Sequence, residues 1–461
     1  MKEIRRDFYL NQLIKKDGNG QIKIITGIRR CGKSYLLKNI FYKYLLEHND
    51  KSHIIYIPLD IKENEELLDG NNFIKYIRNL IKDDKKYYLL VDEIQKMDDF
   101  VPVLNTFLYE DNVEVYVTGS NAKLLSKDVV TEFRGRGDEI HVYPLSFKEY
   151  LEAFHGDQYE AYEQYSIYGG LPYTLSFETD NERSKYLKNL FEETYIRDII
   201  ERNNITNIEE LNELLNIISS QIGSLTNPHN LQNTFKSEKN MNLSDKTISN
   251  YLDYFVDAFL ITKALRYDVK GKKYINSPYK YYFEDIGLRN ARLNFRQIDK
   301  GHIMENIIYN ELLRRGYNVD IGVVEMNETN TDGTRSKPQY EVDFVCNQGN
   351  KRIYVQSAYE MQDTLKERQE RKSLVNIKSA WGIQEDAFKS NLPFMDDKVK
   401  KIHSFDSRSM GTVFPFTTSE VGHPSGVPLG FNKQTGTPIL FDNFAPSLTN
   451  YNMVIFAKSG A

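Results

Sequence analysis

Cysteine is almost absent from this chain: Cys31 and Cys346 are the only two in 461 residues. Two thiols exclude a disulfide framework and any zinc site made of cysteines alone, and they fit a reducing cytoplasm. Long apolar runs are missing as well. None approaches the ~20 residues of a membrane span, and Met1-Lys2-Glu3-Ile4-Arg5-Arg6 lacks the apolar core of an export signal. Nor is there an excess of one charge. The net charge of -5 gives no global nucleic-acid signature, so any basic surface must be local. Proline is sparse until the end, where Pro415, Pro424, Pro428, Pro438 and Pro446 supply five of the chain's 13 and mark a change of composition.

What is present is enough sequence for about three domains. From residue 1 to about 150, apolar strands alternate with helical spacing, the pattern of an α/β fold with a parallel sheet. The most informative stretch is Gly27-Ile28-Arg29-Arg30-Cys31-Gly32-Lys33-Ser34. It follows an apolar strand, Ile22 to Thr26, and precedes a helix from Tyr35 to Leu45. A strand, a glycine-opened loop of fixed length and a helix make a phosphate-binding P-loop. Gly27 and Gly32 let backbone N–H groups turn inward on an anion, and the helix N-terminus adds partial positive charge. Lys33 can reach the β- and γ-phosphates of ATP, and Ser34 can offer its hydroxyl to Mg²⁺. Nucleotide contact is therefore expected along Gly27, Ile28, Arg29, Arg30, Cys31, Gly32, Lys33, Ser34 and Tyr35.

A second strand is expected from Ile54 to Leu59, and a third over Tyr87-Tyr88-Leu89-Leu90-Val91-Asp92-Glu93. The third ends in two acids ~60 residues after the loop, the Walker B arrangement. Asp92 then joins Ser34 in holding Mg²⁺, and Glu93 polarises the attacking water. A fourth strand, Glu114 to Thr118, runs into Gly119-Ser120-Asn121, which places Asn121 beside the γ-phosphate as a sensor.

Next come Phe133-Arg134-Gly135-Arg136-Gly137 and Tyr143-Pro144-Leu145-Ser146-Phe147. Taken in order with the P-loop, Val91-Asp92-Glu93-Ile94-Gln95 and Thr118-Gly119-Ser120-Asn121, these resemble the prokaryotic AAA-type ATPases that carry a C-terminal nuclease-like domain of unknown function. The resemblance covers about 375 residues. It implies an AAA+ core over 1–150, in which Arg136 or Arg134 acts on ATP in cis or from a neighbour.

Residues 151–295 read as helices joined by polar links, broken at Tyr168-Gly169-Gly170-Leu171-Pro172. Helical spacing runs over Glu182 to Glu201 and Asn207 to Ile222. Asn242 to Leu252 fits the second helix of a winged helix, with Ser244 as N-cap and Lys246, Thr247, Ser249 and Asn250 available to DNA. Tyr274 and the Tyr281-Tyr282-Phe283 strand would supply the wing. Modules of this kind also serve as protein contacts inside ATPases, and the sequence leaves both readings open.

Residues 296–376 resemble the restriction-endonuclease-like α/β fold: a helix carrying Glu305, a strand carrying Asp343, and a partner strand Arg352 to Ser357. That fold's nucleases place an acid and a lysine on the last strand, where this chain has Gln356 and Ala358. A neutral amide is a poor ligand for a hard cation, and alanine cannot position a water, so cleavage is not expected. The Asp363 to Leu374 helix closes this part. Residues 377–461 are similar instead to the segment ahead of the P-loop in conjugative-transfer ATPases, which gives an irregular tail read as a truncated second ATPase; a native Gly/Pro-rich extension is the alternative. Two functions follow: an ATP-driven switch or motor acting on DNA, a protein partner or its own oligomer, or a nucleotide-dependent adaptor with slow turnover.

Overall fold

The structure is a computed structural model, which describes residues 4–119, 135–238, 243–325, 328–329, 335–357, 427–431 and 438–441. Residues 1–377 make one compact unit and 378–461 a second.

The first unit begins with a helix, Asp7–Lys15, followed by five strands, the first four of them expected. These are β1 (Ile22–Thr26), β2 (Ile54–Pro58), β3 (Tyr87–Asp92), β4 (Val113–Thr118) and β5 (Gly137–His141). They form one parallel sheet in the order β2-β3-β4-β1-β5. Side chains alternate across a strand, so neighbouring residues serve opposite faces. Leu89 and Val91 pack with Phe73, Ile77 and Leu104 on one face. Leu90 packs with Leu37 and Phe41 on the other. Burial on both faces explains why the strands read as continuous apolar runs.

The helix after the P-loop is continuous but not uniform. Lys33–Tyr35 and Tyr42–His48 are α-helical, and Leu36–Phe41 between them is π-helical. The same interruption occurs between Asp180–Leu190 and Arg197–Asn203, where Phe191–Ile196 is π-helical.

After the helices Ile208–Ser220, Pro228–Glu238 and Asp245–Asp257 come β6 (Ile261–Asp268) and β7 (Lys273–Phe283), an antiparallel pair. The helix Lys300–Arg314 leads to β8 (Asn318–Glu325). A short pair follows, β9 (Glu328–Thr329) with β10 (Arg335–Ser336), then β11 (Gln339–Gln348) and β12 (Lys351–Val355). The second sheet has the order β12-β11-β8-β6-β7. It therefore crosses the boundary expected at 295/296. β6 lies parallel to β8, with Arg266 opposite Ile321, and the residues expected to form a wing, Tyr274 and Tyr281 to Phe283, all lie on one strand of this five-stranded sheet, β7. The helix break between them, Leu293 to Asp299, looks like a linker in sequence because nothing local reports a strand pairing made ~55 residues away.

In the second unit β13 (Val427–Phe431) pairs antiparallel with β14 (Pro438–Phe441). The tail is thus not wholly irregular. Among the described residues this is a two-stranded pair, and edge strands tolerate proline, here Pro428 and Pro438. The expected helix 363–374 and the apolar stretch 453–456 lie outside the described residues. Among the described residues no helix is long and apolar enough to cross a membrane.

Candidate nucleotide site

β1 delivers the chain to the P-loop at the carboxyl end of the sheet, where open α/β sheets bind ligands. Gly27 turns at φ 132°, and a Cβ there would stand 2.2 Å from the Val142 carbonyl oxygen. Gly32 turns at φ 104°, and Arg30 between them is left-handed at φ 65°. Reversals of this kind curl a backbone into a concavity suited to an anion, and within the loop Cys31 N donates to the Ile28 carbonyl at 3.4 Å. Lys33 is buried and coils back, donating from Nζ to the carbonyls of Gly27 at 2.9 Å and Ile28 at 2.8 Å. A phosphate oxygen is a better acceptor for this cation than either carbonyl.

Asp92 ends β3 beside the loop. Its Oδ1 accepts from Ser34 Oγ at 3.0 Å and from Thr118 Oγ1, and its Oδ2 accepts from Tyr56 Oη at 3.3 Å. Burial holds the Asp92 carboxyl above its ordinary value, with the donors from Thr118 and Ser34 pulling the other way. Thr118 works twice, since its Oγ1 also accepts from the Glu93 amide at 3.0 Å. Glu93 is left-handed at φ 57°, a strained setting for a residue with a side chain. Gln95 donates to its carboxylate.

A hydroxyl and one carboxylate within hydrogen-bond distance are the hard oxygen donors that Mg²⁺ takes alongside phosphate oxygens. The residues present fit that ion, with Ser34 and Asp92 as its holders; the ion would neutralise phosphate charge. Among the described residues there is no cluster of three or more His, Cys, Asp or Glu suited to a metal, and this mode needs none.

Residues far along the chain also reach the loop. Tyr195 Oη donates to the Arg29 carbonyl at 2.8 Å, and the Arg29 guanidinium pairs with Asp198 at 2.6 Å. Pro172 stands over Gly32, its Cγ 3.8 Å from where a Cβ would be. Arg6 donates to the Cys31 carbonyl at 3.4 Å and pairs with Glu149 at 3.3 Å. Burial pushes the Cys31 thiol up, so it is inert packing. Ile28 is buried, and Tyr35 is partly exposed one turn into the helix.

The structure therefore brings together Gly27 to Tyr35, Asp92 and Glu93. Asn121 and Arg134 lie outside the described residues. Arg136 is not at this site. It precedes β5, with its carbonyl accepting from Ile22 N at 2.8 Å and its guanidinium over the Tyr109 ring. Because β1 and β5 are parallel, that is the end of the sheet opposite the P-loop, about 13 Å away along the strand. Action of Arg136 on its own chain's nucleotide is corrected by this geometry. Thr118 and Tyr56 were missed by sequence reading. Thr118 had one signal: β3 and β4 are parallel with Val91 opposite Val117, which sets the next residues, Asp92 and Thr118, side by side.

The second sheet, with the helix Lys300–Arg314, gathers another set of ionisable groups. Glu305 Oε1 accepts from Lys280 Nζ at 3.0 Å and Tyr282 Oη at 2.6 Å, and Lys280 also pairs with Glu341 at 2.6 Å. Asp343 accepts from Gln356 Nε2 at 2.9 Å and from Ser357 N and Oγ at 2.7 and 2.6 Å. Burial and the nearby Glu305 push the Asp343 carboxyl up to about 6. Lys280, from β7, is the cation that sequence reading did not place. Ala358 is outside the described residues.

Residues 19–151 match the family model of an AAA domain, and 159–299 that of a domain of unknown function, DUF8612. The chain is 33% identical over 371 residues to an uncharacterized protein of Haemophilus influenzae, covering 79% of this chain and 89% of that one. It is 31% identical over 387 residues to the uncharacterized protein MJ1544 of Methanocaldococcus jannaschii, covering 80% of each. This chain belongs to their family, of the AAA-type ATPase kind. Solved structures aligned with it include AMPPCP-bound DnaA from Aquifex aeolicus, at 15% identity and TM-score 0.28 over 55% of this chain and 88% of that one. Another is the Aeropyrum pernix ORC1 protein in complex with DNA, at 11% identity and TM-score 0.30 over 68% and 94%. Likeness of that extent transfers no ligand to this AAA-type ATPase.

Proposed function

We propose that this AAA-type protein binds ATP with Mg²⁺ and hydrolyses it to switch the position of its helical segment for a partner. The observation that carries this reading is the convergence of Lys33, Ser34 and Asp92, from two separated stretches, at the carboxyl end of one sheet. Lys33 would leave the Gly27 and Ile28 carbonyls for the γ-phosphate. Glu93, one residue past the metal-side carboxylate, would accept a proton from the attacking water. The switch reading is supported by Tyr195, Asp198 and Pro172, which tie the segment after residue 151 to the P-loop itself. Any change in loop shape on filling would be felt there.

The competing reading is an adaptor that binds ATP and turns it over slowly. Steady-state phosphate release from purified protein, with and without duplex DNA, separates the two. Turnover that rises with DNA or a protein partner supports the switch; binding without turnover supports the adaptor.

DNA as the partner has its own support. Ser244 caps the helix Asp245–Asp257 by accepting from Thr247 N, and Lys246 and Asn250 are exposed on it. The β6–β7 turn carries exposed Lys270, Lys272 and Lys273. Asp253 and Asp257 share the helix's outer face and oppose phosphate at its far end. Binding that weakens steeply with salt, and weakens further when Lys272 and Lys273 become Glu, would support DNA. Salt-insensitive binding would favour a protein contact.

A further inference from the structure

β2 is the outermost strand of the AAA sheet, hydrogen-bonded only to β3 among the described residues. Beside it runs a groove of about 660 Å³. Four consecutive strand residues, Ile54, Ile55, Tyr56 and Ile57, line it. Successive side chains of a strand point to opposite faces, so a groove touched by four in a row lies along the strand's edge, where its unpaired N–H and C=O groups are. The walls are the helix after the P-loop and the helix Gly70–Leu80.

Two features of the walls say what fits. Leu46, Tyr76 and Leu80 are among the exposed large apolar side chains of the molecule, 38%, 45% and 37% exposed, and all three line this groove. Its charges are Lys38, Lys43 and Lys51, and no carboxylate lines it. An edge strand, an apolar rim and charge of one sign are the parts of a strand-addition site.

We infer that the outer edge of β2, with its groove, docks an extended acidic segment of a protein partner, which adds a sixth strand to the sheet. The five residues of β2 set a footprint of about five residues, roughly 16 Å long. Backbone N–H and C=O groups of the segment would pair with the edge. Its apolar side chains would cover Leu46, Tyr76 and Leu80, and its carboxylates would meet Lys38 and Lys51. A second copy of this chain is a poorer occupant, because edge-to-edge pairing about a two-fold axis sets the lysines against themselves. Nucleic acid would meet the lysines but leave the strand edge and the apolar rim unused.

The test uses the full chain without nucleotide, so that its failure is separate from any failure of the ATPase reading. The probe is a fluorescently labelled peptide of alternating valine and glutamate, followed by anisotropy. Expected is saturable binding, weakened about tenfold or more by the pair Lys38→Glu and Lys51→Glu and retained by Lys38→Arg with Lys51→Arg. The same peptide N-methylated at every amide should not bind, because it cannot donate to the edge. Absence of saturable binding, or equal binding by the Glu pair or the methylated peptide, overturns the proposal. So does self-association in sedimentation that the Glu pair abolishes, or capture of duplex DNA through the same lysines in place of the peptide.

Discussion

Ser34 Oγ lies 3.0 Å from Asp92 Oδ1, joining the first turn of the P-loop helix to the end of β3 across 58 residues of sequence. Hydrogen bonding to a carboxylate makes Ser34 a donor here; toward a cation both oxygens become ligands. On the proposed function, the contact would mark the side of the loop on which Mg²⁺ neutralises phosphate charge.

Lys33→Ala should abolish ATP binding, since Lys33 is the buried cation of the loop, whereas Arg29 is held by Asp198 and Arg30 is exposed. Glu93→Gln should keep binding and lower turnover by about 100-fold or more. Fluorescent-nucleotide titration and phosphate release measure the two separately. Normal binding by Lys33→Ala would remove the central assignment.

Thr118→Val keeps the shape and deletes the hydroxyl shared by Asp92 and the Glu93 amide. A buried acceptor losing its donor costs about 1–3 kcal/mol. The melting temperature should fall, and turnover should fall more than binding, because Glu93 loses the bond that fixes its backbone. Unchanged turnover would show that this bond is incidental.

His141 gives a pH test. Its Nε2 lies 2.8 Å from Glu284 Oε1, and Nδ1 faces Thr26 and Glu139. Burial disfavours its charge, but Glu284 and Glu139 outweigh that and raise the imidazole to about 9 from 6.5. A raised value in the folded state means stabilisation that is full below pH 6.5 and lost as pH rises through 9. The difference in unfolding free energy between wild type and His141→Gln should therefore shrink over that window, by on the order of 2–3 kcal/mol. Denaturant melts at pH 6 and 9.5 measure it; a pH-independent difference would contradict the ion pair.

Lys280 should act structurally. Lys280→Met leaves Glu305 and Glu341 without their shared cation, a loss of about 3–5 kcal/mol for a broken buried pair. Purified protein with Mg²⁺ or Mn²⁺ should leave linear, circular and single-stranded DNA uncut. Cleavage that disappears in Asp343→Ala would overturn this expectation.

The P-loop and the Asp92-Glu93 pair were legible because each is a local pattern at the end of an apolar run. The first four AAA strands were legible for the same reason; β5, Gly137–His141, has no apolar run to announce it. What was not legible depends on pairing. Arg136 sits next to a glycine-rich turn in sequence, yet strand direction takes it to the far end of the sheet. Tyr195 and Asp198 lie in a helix whose spacing reports only that it is a helix. Lys280 looks like one of many strand lysines until β7 is paired with β6 and the acids of β11 and the Lys300–Arg314 helix arrive beside it.

The sharing of β6 and β7 sets where this chain can be cut. A fragment ending at residue 295 would keep both strands but uncover the side of β6 that Ile321 to Val323 occupy, and a fragment beginning at 296 would lose two of five strands. Neither piece inherits a finished sheet. Shuffling between relatives at that point would join halves of one hydrogen-bonded object, so recombination that preserves the helical segment has to carry residues up to at least 355 with it.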